Sequence, residues 1–159
     1  MVFPRPEPLF DRLAQRLPPL RVWAAVAGTA LLGGTAAIAF HHAWAGAVLL
    51  LAGFAADGME QALARRDGRA AMPLLPFGLM LALFGFALAD PARALAAMFL
   101  MFSLSVFTLL SGPRIRLIHW LAAAGLVAAC FLSDHFSLLA YIIGIACFVK
   151  AGQGLAVRA

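Results

Sequence analysis

The chain is a succession of long apolar runs separated by brief polar punctuation. The breaks fall at Phe40–Ala43 with two histidines, Arg65–Ala71, Asp90-Pro91, Ser111-Gly112-Pro113 and Ser133-Asp134. Between them the pattern predicts helices at 22–40, 43–64, 72–89, 92–111, 115–133 and 136–156. Each connection is only a handful of residues, so consecutive helices are expected to be antiparallel neighbours. Upstream the pattern changes. Across Glu7–Leu17, Leu9, Phe10, Leu13 and Leu17 take one helical face, with Asp11, Arg12, Gln15 and Arg16 opposite. That is the signature of a short helix lying in a headgroup layer. The organisation expected is an N-terminal arm, 1–21, followed by one helical domain, 22–157.

Composition gives this pattern its solvent. The 159 residues are 64% hydrophobic and 12% charged, against about 45–50% apolar and about 25% charged in an ordinary soluble domain. From Val22 to Ala56 there is no Asp, Glu, Lys or Arg, a stretch longer than the ~20 residues of one bilayer crossing. The fold class expected is an all-α integral membrane protein, with six transmembrane helices and a short N-terminal interfacial amphipathic helix.

The distribution of charge orients it. If six spans alternate, Arg5, Arg12, Arg16, Arg21, Arg65, Arg66, Arg69, Arg114, Arg116, Lys150 and Arg158 fall on one side, and Arg93 alone on the other. The positive-inside bias places both termini in the cytoplasm, and a bacterial inner membrane is the expected location. Trp23, Trp44 and Trp120 stand at span starts, as interfacial tryptophans do. The net charge of +5 is thereby assigned to topology, and nucleic acid is not an expected partner. Cys130 and Cys147 lie inside apolar runs and form no CxxC pair, so redox chemistry has no support. The polar arm and the long first run do not fit a cleaved signal peptide. Glycines such as Gly28, Gly46, Gly53, Gly78 and Gly85 read as sites of close helix packing.

One constellation carries chemistry. Asp57 and Glu60 sit three apart within the second run, on one helical face, with Gln61, Ala64, Arg65 and Arg66 following. Asp57 is about 12 Å of helix below Arg65, so both acids are submerged, and a charge at such depth costs a few kcal/mol without compensation. A metal, basic partners, water or protonation would each supply it. One reading is a structural polar cluster, with the acids paired to Arg65, Arg66 or an arginine from another helix.

The stretch Asp57-Gly58-Met59-Glu60-Gln61-Ala62-Leu63-Ala64-Arg65 resembles the signature of CDP-alcohol phosphatidyltransferases, D-x-x-D-G-x-x-A-R followed eight residues later by G-x-x-x-D-x-x-x-D. Asp57 stands at the first Asp, Glu60 replaces the second, Gln61 replaces the glycine, and Ala64 and Arg65 match. Leu74 stands at the next glycine, Gly78 at the third Asp and Ala82 at the fourth, the family's general base. The resemblance implies six helices with an N-terminal interfacial helix, and a site of Asp57, Glu60, Gln61, Ala64 and Arg65 facing a CDP-lipid such as CDP-diacylglycerol. It implies Mg²⁺ or Mn²⁺ at Asp57 and Glu60. A homodimer, or a heterodimer with a related membrane protein, is the implied assembly. Without the third and fourth acids, the expected function is a catalytically impaired or lost member of phospholipid metabolism that still binds lipid, nucleotide-lipid or a related enzyme. Two alternatives stand beside it: an active transferase releasing CMP from a CDP-lipid, and a non-enzymatic membrane scaffold or transport accessory subunit.

The remaining polar residues have plainer expectations. His41-His42 and His119 read as interfacial residues, and Asp134-His135 as a loop or helix cap. Arg65, Arg66 and Arg69 read as a cytoplasmic anchor able to meet lipid phosphates.

Overall fold

The computed structural model describes residues 7–16, 22–111 and 117–156. These form an all-α protein with seven helices: α1 (Glu7–Ala14), α2 (Trp23–Ala39), α3 (Ala43–Arg66), α4 (Leu75–Ala89), α5 (Ala94–Ser111), α6 (Leu117–Phe131) and α7 (Phe136–Ala156). Short 3-10 turns, Pro91–Arg93 and Ser133–His135, lead into α5 and α7. The apolar runs therefore become helices within a few residues of where the pattern places them. Arg114 and Arg116, and Leu17 of the amphipathic face, lie outside the described residues.

Three helices are long and apolar enough to cross a membrane: α3, α5 with its leading turn, and α7 with its own. The other apolar helices, α2, α4 and α6, have 17, 15 and 15 residues. At 1.5 Å per residue these reach about 22–26 Å, short of a ~30 Å hydrocarbon core. The helices differ sharply in burial. The apolar window of α3 is 67% buried, against 33% for α5 and 28% for α7. On these outer helices Leu95, Met98, Phe102, Leu109, Ile142 and Ile145 are exposed. An apolar surface of that extent is unsuited to water, and it is compatible with a membrane location.

Helix α2 packs along α3 and α4, α5 lies between α7 and α4, and α6 packs on α3, α7 and α4. Consecutive apolar helices are neighbours as expected except α5 and α6, which do not pack side by side. The core runs through Leu50, Leu75, Leu79, Leu83, Leu100, Leu104 and Leu126. Small residues let the helices approach at Gly46, Gly53, Gly78 and Gly85, as expected from sequence, whereas Gly28, expected to do the same, has nothing within 4 Å. At Gly85 an added Cβ would lie 2.8 Å from the Thr35 carbonyl oxygen on α2, so α4 and α2 meet there backbone to backbone.

The arm helix docks on protein as well as presenting an apolar edge. Phe10 and Ala14 face inward: Ala14 is buried, and both pack with Met59, Ala62, Leu63 and Trp23. Phe10 also stacks on Trp120 at 5.7 Å between ring centroids. Leu9 and Leu13 remain exposed, on the edge available to a headgroup layer. The predicted apolar face is thus shared between protein and surroundings, because Gly58 opens a slot that fits the Phe10 ring; a Cβ there would lie 2.7 Å from it.

Candidate functional site

Asp57 is fully buried in α3, and its partners are backbone groups of another helix. Oδ1 accepts from the Leu74 N–H at 2.9 Å, and Oδ2 from the Leu75 N–H at 3.0 Å. These are donors at the start of α4, which a helix cannot satisfy internally. The N-cap residue Leu74 has no side chain able to cap, and Pro76 in the first turn carries no N–H. Asp57 therefore caps α4 from the neighbouring helix. The arrangement also sets a carboxyl group at the positive end of the α4 dipole, which offsets part of the cost of its burial.

Glu60 lies one turn on, with its side chain 10% exposed and Oε1 3.6 Å from Arg69 Nη1. Its Oε2 is buried without a hydrogen-bond partner. The Gln61 side chain neighbours the Asp57 carboxyl group, and its buried Nε2 makes no well-directed hydrogen bond. Arg69 reaches Glu60 because α3 ends in a tight reversal. Gly68 takes φ +65°, the Arg69 N–H donates to the Ala64 carbonyl at 2.8 Å, and the Gly68 N–H donates to Arg65 at 3.3 Å. This is a Schellman closure, for which glycine is the favoured residue.

The arginines after the motif turn away from the acids. Arg65 pairs with Asp11 of α1 at 2.7 Å. Arg66 donates to the Ala14 carbonyl at 2.6 Å, satisfying a C-terminal acceptor of α1, and pairs with Asp67 at 3.0 Å. The reading in which the two acids pair with Arg65, Arg66 or an arginine from another helix is met only by Arg69, beside Glu60; the ion pairs of Arg65 and Arg66 are with Asp11 and Asp67. Backbone N–H groups compensate Asp57, Arg69 compensates Glu60, and Arg65 and Arg66 fasten the arm. Ala64, also in the expected face, is buried.

Packing closes the positions of the third and fourth acids. A Cβ at Gly78 would sit 2.7 Å from Leu31 on α2, and Ala82 is fully buried in the apolar core. A bridged pair of divalent ions needs several oxygen ligands for each ion. Asp57 and Glu60 are too few, and the two oxygens of Asp57 already accept from α4. Among the described residues no group of three or more His, Cys, Asp and Glu gathers to hold a metal ion. The donor set does not fit a two-metal centre, so no chemical step follows from one.

One histidine departs from its sequence reading. His119 is 1% exposed: its Nε2 lies 3.1 Å from Thr108 Oγ1, and its ring packs on Phe107. The expectation of an interfacial residue is corrected to a core polar link between the end of α5 and the start of α6. His41 lines a cavity at the other end of the bundle. The sequence held a faint signal for the Asp57 cap, since α4 begins with leucines and proline and has no capping residue of its own. It held none for the His119–Thr108 contact.

Comparison of the chain with protein-family models, with curated proteins and with solved structures gives no match.

Proposed function

We propose that this chain is a six-span membrane protein, laid out like a CDP-alcohol phosphatidyltransferase, whose acidic face serves architecture in place of phosphatidyl transfer. Both termini lie in the cytoplasm and the location is a bacterial inner membrane. The shorter helices α2, α4 and α6 complete the six spans by sitting among longer neighbours, where local bilayer thinning is a modest cost. The protein acts in phospholipid metabolism without catalysing transfer, by binding lipid or a related membrane enzyme, as a homodimer or heterodimer.

The observation that carries this reading is the pair of hydrogen bonds from Asp57 to the Leu74 and Leu75 N–H groups. They occupy the matched aspartate with a task the fold requires. Phe10 filling the slot at Gly58 and the apolar packing at Gly78 and Ala82 support the same conclusion. A second reading has one observation behind it. The unpartnered, buried Glu60 Oε2 is a free donor for one Mg²⁺ or Mn²⁺ beneath a CDP-lipid.

The test is release of CMP from CDP-diacylglycerol by the purified protein in lipid nanodiscs with Mg²⁺ or Mn²⁺ and a mixture of alcohols. An active family member serves as positive control, and Asp57→Asn and Glu60→Gln as negative controls. The expected result is no release above the variants. Metal-dependent release lost in Glu60→Gln while that variant stays folded would establish the active transferase and overturn the proposal.

A further inference from the structure

The apolar face of α1 is claimed by two partners. In sequence Leu9, Phe10 and Leu13 share that face, with Asp11, Arg12, Gln15 and Arg16 opposite. In the structure the helix is turned so that the face is split. Phe10 packs into the bundle beside buried Ala14, while Leu9 and Leu13 point outward, 60% and 44% exposed. Arg12 and Arg16 are exposed beside them.

The hold on the body is small and specific. α1 has eight residues, too few to stay helical in water unaided. It is fastened by the Phe10 ring in the slot at Gly58, by the Arg66 donor on the Ala14 carbonyl, and by the half-exposed Asp11–Arg65 pair. Docking also leaves polar groups unsatisfied. Phe10 stacks on Trp120 and packs in the same cluster as Trp23, and the indole Nε1 of each tryptophan is buried without an acceptor. Buried donors in a settled core are paired, and moving α1 aside would give both N–H groups water or headgroup oxygens.

We propose that α1 is a strap that anionic lipid lifts from the body. On such a surface Leu9, Phe10 and Leu13 enter the acyl boundary together, Arg12 and Arg16 meet lipid phosphates, and the Gly58 slot opens on α3 beside Asp57. The two states compete for Phe10, which fills the slot in one and enters lipid in the other. Each arginine brought to the anionic surface shifts the balance between them about fivefold. On a zwitterionic surface the docked state described above prevails. The strap acts alike whether Asp57 serves architecture or transfer, so its test is separate from that of CMP release.

The test uses the full chain carrying Trp44→Phe, which leaves Trp23 and Trp120 as its tryptophans. The protein is placed in nanodiscs of phosphatidylcholine, alone or mixed with an equal part of phosphatidylglycerol. Quenching of tryptophan emission by acrylamide, a neutral probe indifferent to surface charge, reads how far the two indoles are uncovered. Phosphatidylglycerol is expected to raise quenching and shift the emission to longer wavelength. Joint replacement Arg12→Gln and Arg16→Gln is expected to abolish that response while leaving quenching in phosphatidylcholine unchanged. Phe10→Ala, which empties the slot and keeps the charges, is expected to show high quenching in both lipids. Helicity by circular dichroism confirms that each variant is folded. Equal quenching of the parent chain in the two lipids would overturn the proposal. So would a full response in the double arginine variant, or parent-like quenching of Phe10→Ala in phosphatidylcholine.

Discussion

Replacing Asp57 with alanine removes the acceptors of two buried N–H groups at once. In the wild-type protein these bonds are 2.9 and 3.0 Å long, and hydrogen bonds to an ionised group contribute about 1.5–3 kcal/mol each. Their gross loss is therefore about 3–6 kcal/mol, by the same range applied twice. Relief from burying the carboxyl group returns part of that, so the net destabilisation expected is about 2–4 kcal/mol. For a chain of this size that lowers the thermal midpoint by about 5–15 °C. Asp57→Asn keeps one acceptor but turns an amide N–H toward the second donor, so it is expected to lie between wild type and Asp57→Ala. The assay is the fraction of monodisperse protein left after stepwise heating in detergent, at one heating rate for all variants because unfolding is irreversible there. An acid kept for ligand binding behaves oppositely, since removing it commonly stabilises the fold. Asp57→Asn with a midpoint equal to or above wild type would refute the capping argument.

Two further outcomes follow from the packing. Gly85→Ala is expected to destabilise by about 1–3 kcal/mol, because its Cβ would meet the Thr35 carbonyl oxygen at 2.8 Å. Gly28→Ala, with nothing within 4 Å, is expected to be neutral or to gain up to about 1 kcal/mol from helix propensity; the same heating assay reads both, and matching signs would refute the packing account. For the arm, Arg66→Ala is expected to release α1 more than Arg65→Ala. The Asp11–Arg65 pair is about half exposed at both ends and contributes at most about 1 kcal/mol. Tryptic cleavage at Arg12 and Arg16 in folded protein measures the difference, and equal cleavage in the two variants would refute it.

The helices were legible because their cause is local. Apolar runs, polar breaks at Phe40–Ala43 and Asp90-Pro91, and the amphipathic stretch at Leu9–Arg16 each express one segment's own balance of side chains and backbone. The acidic pair was legible for the same reason: Asp57 and Glu60, three apart, must share a helical face. Their partners were not legible. The Leu74 and Leu75 N–H groups carry no side-chain signature, and they reach Asp57 only because α4 packs beside α3. Arg65 stands near the acids in sequence, yet tertiary packing sends it to Asp11, since α1 supplies an exposed acid where α3 points outward. Tertiary structure likewise moved His119 into the core, beside Thr108 on another helix. By itself the sequence determined the helical elements and the apolar character that makes a membrane location plausible. Only the packed bundle decided which polar groups meet, because a buried donor or acceptor takes whichever partner the neighbouring helix presents.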